Sequence, residues 1–285
     1  MSRIVGIVLV GLMILLGLGI LIPFIGRSRT MSDRIVSQDN LRRIGFSTAH
    51  ASLPNQPPPL NAQDFFPAGT VQQPLPVEER LSWMILLLGT IGSDALEGAN
   101  PNPISKKPNP FQDVMASIDL QSGWNSERNR PLSRKKVRYF LCPSNVPQWG
   151  PEDPAPTQYV GIAGLRREPE KLTLPDGEKN AGVFQYDAPT PVSSIKDGTS
   201  QTIAFSETNF QIGPWMAGGF STVRGIDPDL TTYFGVGLPL GGLHLGGANV
   251  GMADGSVRFL SDKIDPVVFR AMCTINGNET GFERE

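Results

Sequence analysis

Carboxylates, thiols and imidazoles are the side chains that move protons, attack carbonyls or hold metals, and here the thiols and imidazoles are few and scattered. The chain has two histidines, His50 and His244, and two cysteines, Cys142 and Cys273. No CxxC pair and no histidine cluster accompany the cysteines, so a zinc site is not expected. One disulfide between Cys142 and Cys273 stays open as an alternative to free thiols, if the domain meets an oxidising compartment. No G-x-S-x-G, H-E-x-x-H, G-x-x-x-x-G-K-S/T or G-x-G-x-x-G pattern occurs. That removes the sequence signatures of α/β-hydrolases, zinc proteases, P-loop NTPases and dinucleotide-binding enzymes. No catalytic residue is assigned, and no enzyme activity is expected.

Two Asp-Gly pairs, Asp197-Gly198 and Asp254-Gly255, are strong turn formers, because Asp bonds its own backbone and Gly accepts positive φ. His244 lies in a Gly-rich approach to the second pair, GGLHLGG, within reach of that turn. His244, Asp254, Gly255, Asp197 and Gly198 together read as a structural motif. Glu207 ends the strand-like TIAFSE and could join Asp197 and Asp254 around Ca²⁺, which takes hard oxygen ligands. Otherwise these carboxylates are turn caps, and no other cofactor is indicated. His50 reads as a solvated side chain at a helix end. The four tryptophans, Trp83, Trp124, Trp149 and Trp215, are spread widely, which favours packing over a sugar-binding platform.

What positions these groups begins with an anchor. Ile4 to Ile25 is a run of 22 positions without a charged or strongly polar residue, about the roughly 20 that a bilayer core requires. It is too long for a cleaved signal peptide and lacks a small-residue cleavage site. Arg27, Arg29 and Arg34 follow the run while only Arg3 precedes it, which by the positive-inside rule places the large domain in the cytoplasm. The net charge of -2 gives no reason to expect a nucleic-acid partner.

Four segments follow: a transmembrane anchor at 1–26, a juxtamembrane helix at 27–53, a proline-rich linker at 54–76 and a β-rich domain at 77–285. Pro54 and the Pro57–Pro59 run close the helix, whose apolar residues form no clean stripe. Leu81–Leu88 is a buried helix or a core strand. Strands are expected at 137–141, 159–162, 182–186, 202–206, 248–252 and 257–260. Asp265-Pro266 starts a last helix. A two-residue turn at Asp254-Gly255 puts Met252 opposite Val257 and Val250 opposite Phe259, with all four on one face.

Several motifs carry a resemblance. HLGGANVGMADGSVRFLSDKIDP contains His244, nine residues, then Asp254-Gly255. NLRRIGFSTAH, LSWMILLL, WNSERNRPL, FLCPSN, YVGIAG and IKDGTSQTIAFSE accompany it in order. This pattern resembles the prepilin-type family called domain of unknown function fifteen fifty-nine, abundant in planctomycete-type bacteria. The resemblance implies an α+β, pilin- or pseudopilin-like fold: a long transmembrane-plus-spine helix under an antiparallel β-rich domain with long loops. It also implies an extracytoplasmic domain, against the arginine count, with the membrane and other pilin-like or secretion-system subunits as partners. The expected function is a structural protein of the cell envelope or a secretion-related assembly; the alternative is an anchored solute- or glycan-binding module. Two departures stand out. Gly11 replaces the glutamate of a prepilin leader, so the helix is expected to be kept, and Ser37 stands where a cysteine is expected before Asn40-Leu41.

Overall fold

The computed structural model describes residues 2–51, 62–92, 94–96, 110–166 and 179–277. A single helix, α1 (Ser2–Thr48), precedes everything else. Among the described residues no helix is long and apolar enough to cross a membrane. The Ile4–Ile25 run on which the anchor rests falls largely on residues whose side chains lie outside them.

Beyond α1 the protein is α+β. Strands β1 (Phe65–Phe66) and β3 (Thr190–Pro191) form a small antiparallel pair. The main sheet contains β2 (Tyr159–Leu165), β4 (Ile203–Glu207), β5 (Val223–Ile226), β6 (Gly247–Met252) and β7 (Val257–Ser261), in the order β5-β2-β4-β6-β7. β2–β4, β4–β6 and β6–β7 are antiparallel, whereas β2–β5 is parallel, so the sheet is mixed rather than wholly antiparallel. Short helices α2 (Pro110–Ser117), α3 (Arg130–Ser133) and α4 (Pro266–Met272) complete the described α-helices. Asp265 caps α4 through Val267 N, as the Asp-Pro pair predicts.

β4 and β6 are buried along their whole length, because the sheet is covered on both faces. One apolar cluster holds Leu41 and Ile44 of α1 with Trp83, Phe184 and Phe205. The other gathers Val160, Ile203, Val250, Tyr233 and Phe234 around Phe269 of α4.

Several expectations are corrected. LSWMILLL is a 3-10 helix at Trp83–Leu87, capped by Ser82 Oγ. Val137–Leu141 contributes one bridge, to Leu96, and then a 3-10 turn. The 182–186 segment bonds to β2 without becoming a strand. Residues 65–71 of the expected linker are tied into the domain: β1 pairs with β3, and Gly69 N donates to Gln185 O at 2.6 Å. Residues 52–61 lie outside the described residues.

The β6–β7 hairpin sits where it was expected but is slipped by one residue. Gly251 pairs with Val257, Val250 with Arg258 and Asn249 with Phe259. The loop is three residues, 253–255, closed by Met252 N donating to Ser256 O, with Gly255 at φ +83°. That is the three-residue loop ending in a left-handed glycine, and the extra residue moves every side chain of β7 to the other face. Phe259 is only half-buried, beneath the Arg34 guanidinium at 4.6 Å.

Candidate functional site

The end of α1 enters the domain through a half-polar stripe. Ser37, Asn40, Leu41, Ile44, Ser47 and Thr48 are all buried, at the three- and four-residue spacing of one helix face. Of the helix's apolar residues, which form no clean stripe, Leu41 and Ile44 are buried while Met31, Ile35 and Phe46 are largely exposed.

Facing that stripe is Glu207, the last residue of β4 and fully buried. An unmatched buried carboxylate is very costly, and this one is matched on both oxygens. Asn249, next to it on β6, donates its backbone N–H to Oε2 at 2.7 Å and its side-chain amide to Oε1 at 2.9 Å. Ser37 donates its hydroxyl to Oε1 from α1. Tyr159 lies 2.7 Å from Ser37 Oγ and accepts from Asn40 at 3.3 Å. Burial first, then the Glu207 charge, pushes the Tyr159 hydroxyl well above its ordinary pKa. It is a neutral phenol in a chain of hydrogen bonds, whose members polarise one another. Gln38 to Asn249 Oδ1 (3.1 Å) and Asn40 to Leu141 O (3.0 Å) add further ties between helix and domain.

His244 reaches the same carboxylate from the Gly-rich loop. Its Nε2 lies 3.2 Å from Glu207 Oε1 and 3.5 Å from Cys142 Sγ, while Nδ1 lies 3.2 Å from Ser144 Oγ. The loop needs its glycines: a Cβ on Gly247, at φ +157°, would stand 1.9 Å from Leu260 O. Cys142 is positioned by Gln158, which accepts from Cys142 N at 2.9 Å and donates to Asn145 O at 2.8 Å. Burial pulls the His244 pKa down, but hydrogen bonds to Cys142 and Glu207 and their charges outweigh it, and the imidazole is raised to about 9.

One ligand atom from each of Cys142, Glu207 and His244 lies within 4.8 Å of the other two. In a nucleophile–histidine–acid relay the thiol and carboxylate occupy opposite ring nitrogens. Here both face Nε2, an arrangement suited to clamping or to sharing a ligand rather than to passing a proton along.

The predicted residues separate accordingly. His244 and Glu207 meet, but His244 does not reach the Asp254 turn. The Ca²⁺ triad of Asp197, Glu207 and Asp254 does not assemble. Asp254 lies past the far end of β6, accepting from Ser256 N (2.9 Å) and Ser256 Oγ (2.6 Å), and Asp197 accepts from Gly277 N at 2.8 Å. The Cys142–Cys273 disulfide is absent, and both thiols are reduced and buried. Cys142 points at His244, whereas Cys273 packs in the cluster around Phe269. Gly198 and Gly255 both take positive φ in turns, as expected, although the Asp254-Gly255 loop has three residues instead of two. His50 stays at the helix end, bonded to Phe46 O at 2.9 Å. Sequence reasoning missed Asn40, Tyr159, Ser144 and Asn249; the helical spacing of Ser37, Asn40, Ser47 and Thr48 was the signal available.

Comparison with known proteins agrees with the family resemblance. A family profile described as "Protein of unknown function (DUF1559)" matches residues 34–223 and 238–267, which include every residue of the Glu207 cluster. No curated protein and no solved structure matches the chain. The chain belongs to the DUF1559 family.

Proposed function

We propose, for this member of the DUF1559 family, a non-enzymatic role as a membrane-anchored, pilin- or pseudopilin-like structural subunit of the bacterial envelope or a secretion-related assembly. The observation that carries this reading is the joint between helix and domain. Ser37, Gln38, Asn40 and the backbone of Arg34 are all hydrogen-bonded into the Glu207–Asn249–Tyr159 network, in addition to burial of Leu41 and Ile44. A helix joined that firmly is built to hold its domain at a fixed attitude. The Ile4–Ile25 run on the same helix supports a bilayer anchor, and the family resemblance supports an extracytoplasmic domain. The geometry around Nε2 favours a clamp over nucleophilic catalysis.

One observation favours the alternative of a solute- or glycan-binding module. A cavity of about 450 Å³ lies between α1 and the β6–β7 turn, lined by Arg42, Phe46, Phe65, Phe66 and Asp254 among others. None of the four tryptophans lines it: Trp83 and Trp215 are fully buried, and Trp124 and Trp149 are half-buried outside the cavity.

Protease treatment of intact spheroplasts tests the structural reading. Digestion of residues 62–277 without lysis is expected, and protection until the membrane is dissolved overturns it. Mature protein beginning at Ile7 would show instead that the helix is processed for filament assembly.

A further inference from the structure

The Cys142–Glu207–His244 cluster has a geometry that a metal ion would also satisfy. A thiol and a carboxylate converge on one ring nitrogen, where a single N–H serves both only as a shared, three-centre bond. A tetrahedral Zn²⁺ site fits the two edges at the imidazole, with S···N and N···O of roughly 3.5 Å and 3.3 Å from ordinary Zn–S, Zn–N and Zn–O lengths. The corresponding separations here are 3.5 Å and 3.2 Å. We propose that Cys142 Sγ, His244 Nε2 and Glu207 Oε1 form a binding site for a zinc-type divalent cation, placed at the joint between α1 and the sheet.

The surrounding contacts are those that a metal site requires. A ligating imidazole donates its other ring N–H to an orienting partner, and Ser144 Oγ stands 3.2 Å from Nδ1. With Nδ1–H donating to that hydroxyl, the Nε2 lone pair is left for the metal. A ligating carboxylate is itself held by donors, and Asn249 supplies two. Soft sulfur with imidazole selects zinc-type ions over Ca²⁺ and Mg²⁺, which prefer oxygen. Binding releases the thiol proton, and any proton on the imidazole, to solvent. His244 also lines a surface cavity of about 320 Å³ with Phe234, Leu243 and Asp262, which gives an ion a route to the ring. Three protein ligands leave a fourth position, and Ser37, whose hydroxyl already touches Glu207 Oε1, borders the cluster.

The site stands independently of membrane orientation, which the spheroplast experiment reads separately. The test uses the full chain in detergent, stripped with chelator and titrated with Zn²⁺ or Co²⁺ alone. One Zn²⁺ per chain should survive removal of excess metal, and Co²⁺ should produce a near-ultraviolet thiolate charge-transfer band. The band should vanish in Cys142→Ser and keep its intensity in Cys273→Ser. Ser144→Ala should weaken binding by about 10–100-fold. The Co²⁺ spectrum of the unaltered chain requires no variant, so loss of folding in a mutant cannot hide the answer. A spectrum without the thiolate band, or stoichiometric Zn²⁺ retained by Cys142→Ser, overturns the proposal.

Discussion

The β4–β6 ladder ends in a carboxylate on each side, and the two are stabilised in opposite ways. Asp254 at the hairpin turn is exposed and bonds to Ser256, two residues away. Glu207 at the other end is buried and bonds to Ser37, His244 and Asn249, which are 170, 37 and 42 residues away. Water solvates the first whatever the rest of the chain does. The second is tolerable only when three distant segments arrive with donors, so its burial is tied to complete folding. One carboxylate shapes a turn; the other verifies an assembly.

The sharpest test of that contrast is Glu207→Ala in chelator-treated protein. Removing one partner of a buried charge pair costs about 3–5 kcal/mol, and here it also strands the Asn249 and Ser37 donors. Urea unfolding should show a loss of that size, and a loss under about 1 kcal/mol would equate the two ends. Proton linkage gives a second, smaller effect. The folded His244 pKa is raised to about 9, above an unfolded value near 6.5. Its stabilising contribution is therefore complete below about pH 6.5 and lost as pH rises through about 9. Metal-free protein should lose more stability between pH 7 and 9 than its His244→Gln variant, and parallel curves would sever His244 from Glu207. The smallest effects belong to the hairpin end. Phe259→Ala should cost about 1 kcal/mol, since a half-buried ring loses only part of its burial energy. Asp254→Asn should stay within about 0.5 kcal/mol, because Asn suits the same turn. Thermal unfolding of both variants checks this, and a large loss in Asp254→Asn would erase the distinction.

The same contrast explains what the sequence disclosed. Asp254-Gly255 located a hairpin and Asp265-Pro266 a helix start, because those interactions close within a few residues. The hairpin register escaped, since two- and three-residue loops are both compatible with Asp-Gly, and only Met252 N meeting Ser256 O decides between them. β6 misled further: it is buried on both faces, so alternation says nothing about its partner. The α1 stripe was invisible to an apolar count because Ser37, Asn40, Ser47 and Thr48 supply most of it. His244 and Glu207 were singled out separately, but their meeting, and that of either with Cys142, depends on strand order. Proximity in sequence favoured the wrong partner for His244, the Asp254 turn.

The spread of the joint along α1 has a mechanical consequence. Its hydrogen bonds run from Arg34 to Asn40, and Thr90 Oγ1 lies 3.5 Å from Ser47 O further along. That covers roughly 20 Å of axis at 1.5 Å per residue. Tension pulled along the helix therefore loads these contacts side by side, in shear, and they must fail together. Force applied sideways at the free end would open them one after another, as a zip fastener opens. The domain is thus fastened for traction along its stalk and is weakest against a lever.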